Sequence, residues 1–273
     1  MRGGDGPLRE RPRILVSNDD GIRAPGLLAL VEALCAVGEV AVVAPERNWS
    51  AVGHTKTMHK PLRASEVALL EGVTAYQTNG SPSDCVALAV LGLLGRPLDL
   101  VVAGINEGAN VGTDILYSGT FAAAAEGTIA GISAFAISLD TSVSAGPSHN
   151  YRQAARFAAG LVRRLLEAPH ERPWLLNVNV PDVPDGQLQG VEVTRLGQRI
   201  YQDALVERLD PRGRRYYWIG GPVPGGVIEA GTDIGALAAS RISVTPVRLD
   251  LTDHARLEDL RALGLSLFQE EAT

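Results

Sequence analysis

Residues 13–21 read RILVSNDDG, a short apolar run that ends in a serine, an asparagine, two aspartates and a glycine. An apolar run of this length is typical of a buried strand in a parallel sheet. Residues 25–37, PGLLALVEALCAV, space their apolar side chains by three and four, as one face of a helix requires. This order of strand, polar loop and helix predicts an α/β fold, in which helices cover a mainly parallel sheet.

The same alternation continues to residue 181. Further strands are predicted at residues 39–43, 99–103, 134–139 and 175–180. Helices are predicted at residues 81–94, 121–130 and 151–167. We therefore assign residues 13–181 to one α/β core. Residues 1–12 are charged and rich in Gly and Pro, which predicts a flexible leader.

Residues 182–273 differ in character from the core. Gly and Pro punctuate residues 182–230, and the aromatic cluster at residues 216–218 has no helical spacing, which predicts a hairpin or projecting arm. A last core strand is expected at residues 241–247, and a C-terminal helix at residues 254–268. The arm either packs on its own core or reaches another subunit, and its aromatic side chains make the second option a reasonable expectation.

The composition excludes several classes of protein. The formal net charge is −6, so the chain has no overall basic field with which to bind a polymeric nucleic acid. Cys35 and Cys85 lie in apolar helical runs and predict no disulfide. The longest apolar run, residues 85–95, is shorter than the roughly 20 residues that cross a membrane. No apolar segment in the first residues resembles a secretory signal, so we expect a cytoplasmic protein with no membrane partner.

The first candidate site follows the first predicted strand, at residues 17–21 (SNDDG). Ligands of open parallel sheets bind beyond the carboxyl ends of the strands, where this loop begins. Asp19 and Asp20 supply carboxylate oxygens that suit Mg²⁺ or Mn²⁺, with Asn18 beside them. The alternative is a turn that caps the next helix.

The second candidate loop, PERNWS at residues 45–50, opens at the same edge of the sheet. Ser50 would supply a neutral oxygen there, and Arg47 would face a phosphate. The alternatives are a solvated or capping serine hydroxyl and an ion pair between Arg47 and Glu46.

The third candidate is the stretch GINEGANVGTD at residues 104–114, directly after another predicted strand. Its glycines let the backbone approach a ligand closely, and Asn106 and Asn110 offer neutral oxygens and N–H donors. Ser118, Gly119 and Thr120 then precede an alanine-rich helix, where free N–H groups form an anion site. An ordinary N-cap by Ser118 or Thr120 is the alternative.

Several familiar enzyme motifs are absent from the sequence. The two lysines, Lys56 and Lys60, do not follow a glycine-rich loop of P-loop form. The chain has no G-x-G-x-x-G spacing after its first strand, no H-E-x-x-H, no cysteine cluster and no G-x-S-x-G elbow. P-loop NTPases and dinucleotide-binding enzymes are therefore not supported.

An ordered series of motifs now covers most of residues 14–254: SNDDG, APERNWS, NGSPSDCV, DLVVAGINEGANVGTDILYSGT, LNVNVP and TPVRLDLTDH. This series closely resembles the survival protein E (SurE) family of metal-dependent 5′/3′-nucleotidases. The resemblance implies a Rossmann-like core with three layers, and a C-terminal extension that assembles dimers or tetramers. It also implies one divalent ion per subunit.

The resemblance carries over residue by residue. Metal ligands match Asp19, Asp20, Ser50 and Asn106, of which Asp19, Asp20 and Asn106 are our predicted catalytic residues. Predicted substrate contacts are Asn18, Asn110, Ser118, Gly119 and Thr120, the last three for phosphate. Asp250 and His254 match positions that support assembly or the site.

The chain departs from the family pattern at three positions. It has Ala51 where the family usually has glycine, Glu46 where it has aspartate, and Ala103 where it has serine. Ala51 is the change that would shift the loop that carries Ser50 and alter metal or substrate preference.

The leading hypothesis is a phosphomonoesterase that hydrolyses nucleoside monophosphates, with Asp19 as a base, a water-orienting group or a nucleophile. One alternative is a phosphatase that acts on short polyphosphate or other small phosphate esters. Another is a nucleotide sensor without catalysis. Base recognition would fall to variable loops such as residues 54–60.

Overall fold

The computed structural model describes residues 11–143, 149–168, 170–201, 204–220 and 225–265. Most of the predicted leader, residues 1–10, and residues 266–268 of the predicted C-terminal helix lie outside these ranges. The strands are β1 Arg13–Ser17, β2 Glu39–Pro45, β3 Ala64–Glu66, β4 Thr74–Thr78, β5 Leu100–Glu107, β6 Ala134–Asp140, β7 Leu175–Pro181, β8 Val191–Val193, β9 Arg199–Ile200, β10 Ala204–Leu209, β11 Arg215–Gly220, β12 Gly225–Gly226 and β13 Ile242–Pro246. The α-helices are α1 Pro25–Cys35, α2 Pro82–Leu88, α3 Gly119–Ile129, α4 Tyr151–Glu167, α5 Asp233–Ala238 and α6 Leu257–Ala262.

Within the described residues, nine strands form one sheet in the order β3-β4-β2-β1-β5-β6-β7-β13-β8. The six strands from β4 to β7 in this order are parallel, while β3 and β13 run antiparallel to their core neighbours. Because the chain order reverses at β1, the loops after β1 and β5 diverge and open a crevice between them. This crevice is where the candidate loops meet.

Helices cover both faces of the sheet. Helices α1 and α4 pack together on one face, and α2 and α3 pack together on the other. Helix α1 buries Leu27, Leu30, Val31 and Leu34, the residues that the spacing predicts. The α/β prediction with three layers is confirmed. No helix in the described ranges is both long enough and apolar enough to cross a lipid bilayer.

The element boundaries differ from the sequence prediction in several places. Strands β3 and β4 and helix α5 were not predicted, since each is too short to show a clear hydrophobic period. The predicted helix 81–94 is α2 followed by a π-helical turn at Ala89–Leu93. Helix α3 begins at Gly119, two residues before the predicted start.

The C-terminal third returns to the core and then leaves it. Strand β13 pairs with β7 on one side and β8 on the other, so the strand predicted at 241–247 lies inside the sheet. Strands β10 and β11 form a separate two-stranded hairpin, with Trp218 and Ile219 exposed. The C-terminal helix is shorter than predicted over the described residues: a 3-10 turn at His254–Arg256 leads into α6, which ends at Ala262.

The centre of the sheet offers a matched test of packing. Ile137 on β6 is fully buried, whereas Ile129 at the end of α3 is 60% exposed. We expect Ile137→Ala to lower the free energy of unfolding by about 2–5 kcal/mol, because it removes buried methyl groups and leaves a cavity. Ile129→Ala should change it by no more than about 0.5 kcal/mol. Equal urea unfolding midpoints for the two variants would contradict this packing.

Candidate active site

A cavity of about 390 Å³ lies where β1, β2 and β5 end. The predicted residues in its wall are Asp19, Ser50, Asn106, Asn110 and Ser118. These residues come from loops after three different strands and from the cap of α3, and the sheet topology brings them together. Parallel strands place their carboxyl ends at one edge, which explains this convergence.

Asp19 is the most enclosed acid of the site, with 3% of its surface exposed. It lies against the first turn of α3, where the Thr120 hydroxyl donates to its Oδ1 and the N–H groups of Gly119 and Thr120 also face it. Burial raises the pKa of Asp19, and these hydrogen bonds oppose the increase. A helix N-terminus favours negative charge, so α3 helps to hold a carboxylate in this enclosed position.

Gly119 makes the close approach of Asp19 possible. A Cβ at this position would lie 2.8 Å from the Cβ of Asp19 and 3.0 Å from its Oδ2. Every other residue type would therefore push the carboxylate away from the start of α3. Gly119 was predicted to bind phosphate, and the structure shows a second reason for glycine at this position, which is its close contact with Asp19.

Asp20 lies beside Asp19 and has fewer hydrogen bonds. Its Oδ1 accepts from Asn48 Nδ2 at 3.2 Å, and its Oδ2 accepts from the backbone N–H of Glu107 at 3.4 Å. Burial and the neighbouring charge of Asp19 raise the pKa of Asp20 to about 6. The buried Asp19 and the half-buried Asp20 are therefore adjacent acids whose negative charges repel each other.

Asn106 lies near the end of β5, where the pairing with β6 shifts register between Gly104 and Asn106. The irregularity redirects the end of the strand. Asn106 Nδ2 donates to the carbonyl of Gly108 at 2.7 Å, which fixes the amide group. The amide oxygen is then the group that this side chain offers to a ligand in the cavity.

Ser50 is carried by an exposed loop whose shape is set by short polar contacts. Its backbone N–H and its hydroxyl both donate to Asn48 Oδ1, at 2.7 and 2.6 Å. The N–H of Trp49 donates to the carbonyl of Asp19 at 2.7 Å, which ties the loop to the first site loop. The Arg47 guanidinium lies 5.2 Å from the Trp49 ring centroid, so Arg47 makes a cation–π contact beside the site.

A buried acid on α3 anchors the rest of this loop. Glu126, with a side chain 9% exposed, accepts from Lys56 Nζ at 2.7 Å and lies 3.0 Å from His54 Nε2. Burial acts to raise the pKa of Glu126, but Lys56 and His54 outweigh it and leave the pKa below its usual value. Asp84 on α2 holds the same loop by accepting hydrogen bonds from the backbone N–H and the hydroxyl of Thr57. In this structure residues 54–57 are fastened to α2 and α3, and base recognition by the loop at 54–60 stays a prediction.

The remaining predicted substrate contacts are engaged mainly with the protein. Asn18 is buried, and its amide bonds the backbone N–H and carbonyl of Gly21, so it holds the turn. Ser118 Oγ accepts from the N–H of Phe121 at 3.0 Å, which is the N-cap alternative, while Ser118 also lines the cavity. The Thr120 hydroxyl points to Asp19 rather than into open space.

Asn110 is held by two asparagines that the sequence analysis did not single out as site residues. Its carbonyl accepts from Asn177 at 2.8 Å and from Asn179 at 3.0 Å, and its N–H donates to Asn179 Oδ1 at 2.8 Å. Its own Nδ2 donates to Ser138 Oγ at 3.0 Å. Polar residues at every second position of the buried strand LNVNVP are the signal that identifies these two supports.

The start of the arm, residues 197–201, which we call the arm root, also reaches the cavity through Tyr201. Asp233 on α5 accepts from the N–H of Gly112 at 2.8 Å and from the N–H of Gly197 at 2.7 Å. Gly112 has φ +54°, and a Cβ there would lie 2.5 Å from the carbonyl of Gly197, so glycine is required. This contact brings Arg199 and Tyr201 to Asp114 at the cavity wall.

Asp250 and His254 form a separate pair, with Nε2 2.7 Å from Asp250 Oδ2. Both side chains are exposed, and neither lines the cavity. A role in the chemistry of the cavity would need a contact that this position does not provide.

The fold and the site together define a class: an α/β protein with a buried and a half-buried carboxylate side by side, and oxygen-bearing side chains, at the switch point of a parallel sheet. The family model described as "Survival protein SurE" matches residues 14–203. The chain belongs to the SurE family.

Close relatives extend over nearly the whole chain. A protein of Chloroflexus aggregans named "5′-nucleotidase SurE" is 52% identical, over 91% of this chain and 97% of that relative. A protein of the same name from Geobacter sulfurreducens is 50% identical, over 95% of this chain and 96% of that relative. The crystal structure of the SurE protein from Aquifex aeolicus superposes with a TM-score of 0.78 at 36% identity, covering 93% of this chain and 100% of that one.

The anchoring of the Ser50 loop leads to a prediction about stability. We expect Glu126→Gln to lower the free energy of unfolding at pH 7 by about 1–3 kcal/mol, because the buried ion pair and its hydrogen bonds are lost. The folded-state pKa of Glu126 is depressed, so its contribution is present above the unfolded-state pKa and is lost as pH falls through the folded-state pKa. Urea unfolding at pH 7 and below pH 4 measures both effects.

Glu32→Gln is the matched control, because Glu32 is an exposed glutamate on α1. It should change the free energy of unfolding by no more than about 0.5 kcal/mol. A difference between Glu126→Gln and the parent chain that grows toward low pH would contradict the assigned sign.

The departure at Ala51 has a physical consequence. Ala51 has φ +58°, a conformation that an L-residue adopts at a cost of roughly 1–2 kcal/mol. We expect Ala51→Gly to raise the free energy of unfolding by about 0.5–1 kcal/mol, after allowance for the greater freedom of glycine in the unfolded chain. Ala36→Gly is the control, because Ala36 has φ −76°, a conformation that suits an L-residue. This variant should lower the free energy of unfolding or leave it unchanged. Thermal unfolding that shows a loss for Ala51→Gly would refute the expected gain.

Proposed function

We propose that the chain is a metal-dependent phosphomonoesterase that hydrolyses nucleoside 5′- and 3′-monophosphates to nucleoside and phosphate. The observation that supports this most directly is that Asp19, Ser50 and Asn106 line one cavity, with Asp20 next to Asp19 and bonded to the N–H of Glu107 in the cavity wall. The relatives named 5′-nucleotidase support the nucleotide substrate and the 5′ position. Hydrolysis at the 3′ position and the metal requirement follow from the family resemblance.

The donor set fits a hard divalent cation. Two carboxylates, a hydroxyl and an amide oxygen are the ligands that Mg²⁺ and Mn²⁺ accept, and the crowded negative charge of Asp19 and Asp20 is what a cation would neutralise. In the part of the chain that the structure describes, no group of three or more His, Cys, Asp or Glu side chains is placed to hold a metal, so a site here depends on the neutral oxygens. We propose one ion per subunit.

When bound, such an ion polarises the phosphoryl oxygens and makes a water molecule more nucleophilic. The protein's own groups then set the geometry. The Thr120 hydroxyl and the first turn of α3 fix the Asp19 carboxylate, which lines the cavity and would orient or deprotonate the attacking water. Asn110 and Ser118 also line the cavity and would contact the phosphate. The positive N-terminal end of α3 would favour the negative charge of the phosphate.

Assembly and location belong to the same proposal. The hairpin of β10 and β11 leaves Leu205, Trp218 and Ile219 exposed, which supports a homodimer or homotetramer built through the arm. The cytoplasm stays our predicted location.

The test is phosphate release from nucleoside monophosphates by metal-stripped protein, with and without added Mg²⁺ or Mn²⁺. We expect release only with metal, and a loss of about a hundredfold or more in Asp19→Asn, because the buried carboxylate that holds the water is gone. The matched control is Asp259→Asn, an exposed aspartate on α6. If the protein binds nucleotides but releases phosphate from no substrate, the enzyme proposal is wrong and the protein is a nucleotide sensor. If it releases phosphate from short polyphosphate alone, the proposal of a nucleotide substrate is wrong.

A further inference from the structure

A second cavity of about 530 Å³ adjoins the first, and the backbone of Gly108 and Ala109 lies in the wall of both. The apolar part of its wall comes from Ile228, Ile234 and Leu237. Ile228 is 74% exposed, so a large aliphatic side chain lies at the open side of the cavity. Pockets for small organic ligands span about 300–1,000 Å³ and are mostly apolar with few polar groups, and this cavity fits both conditions.

One ion pair links the two cavities. Asp114 lies in the wall of the first cavity, and its Oδ2 lies 2.8 Å from Arg199 Nε in the wall of the second. The Tyr201 hydroxyl donates to the other oxygen of Asp114 and also lines the first cavity. Arg199 Nη1 lies 3.5 Å from the carbonyl of Gly225, so the guanidinium lies between Asp114 and the backbone of β12.

We propose that the second cavity binds the base of the nucleotide substrate, with the phosphate in the first cavity and the sugar over Gly108 and Ala109. This inference rests on the proposed function and names the residues that recognise the nucleoside. A nucleobase is a flat aromatic ring, and a planar guanidinium such as that of Arg199 stacks on such a face. Ile228, Ile234 and Leu237 supply the apolar contact area.

The proposal gives the arm a part in specificity. Arg199 and Tyr201 lie more than 80 residues from Asp114 in the sequence, and Asp233 holds the arm root against the loop that carries Asp114. A nucleoside in this position would touch the core and the arm at once. A phosphate ester without a base would use the core alone.

The test compares kcat/KM for adenosine 5′-monophosphate with kcat/KM for ribose 5-phosphate, which has the same phosphate and sugar but no base. We expect Ile228→Ala and Arg199→Gln each to lower the ratio of the two values by about tenfold, mainly through the KM of the nucleotide. Ile228 is exposed, so its truncation leaves folding intact even where Arg199→Gln does not. Ile129→Ala, an exposed isoleucine on α3, is the control and should leave the ratio unchanged.

Binding of adenosine, measured by calorimetry without metal or phosphate, separates the two proposals. Weaker adenosine binding in Ile228→Ala than in Ile129→Ala supports the base pocket even if no phosphate ester is hydrolysed, an outcome that overturns only the proposed function. Adenosine binding and a substrate ratio that are both unchanged in Ile228→Ala and Arg199→Gln overturn the base pocket, while hydrolysis of either ester leaves the phosphatase proposal standing.

Discussion

The contact between Asp19 and the first turn of α3 is the constraint on which the arrangement of the site depends. A carboxylate with 3% of its surface exposed is costly unless hydrogen bonds compensate for lost hydration, and Thr120 and the helix N-terminus provide them. The contact requires glycine at position 119, because any side chain there would meet Asp19. It therefore fixes how β1, α3 and the cavity lie relative to one another.

Around this point, buried polar contacts rather than regular secondary structure hold the functional loops. Glu126 and Asp84 fasten the loop that follows Ser50, and Asp233 fastens the arm root to the loop at Gly112. Hydrogen bonds to charged groups contribute more than neutral ones, and their directionality fixes a loop that lacks its own ladder. Each acid thus holds a loop next to the site in one position.

In the proposed function, the chemistry and the recognition of the nucleoside come from different parts of the fold. Asp19 and Asp20 follow β1 and Asn106 lies at the end of β5, while Arg199 and Tyr201 come from the arm. A rigid sheet edge suits groups that must act on a single phosphorus atom. An arm with weaker ties to the core is a natural place for contacts that differ between substrates.

Hydrophobic period and strand ends are local properties, so the sequence predicts the α/β class, most of the core elements and the loops that meet at the sheet edge. It also points to Asp19, Asp20, Ser50 and Asn106, which follow predicted strands. Three facts emerge only once the chain is folded: Asn18 and Thr120 are engaged by the protein itself, Glu126 anchors the loop that follows Ser50, and Tyr201 lines the site. These contacts join residues up to about a hundred positions apart, and no local pattern encodes which distant partner a polar side chain meets.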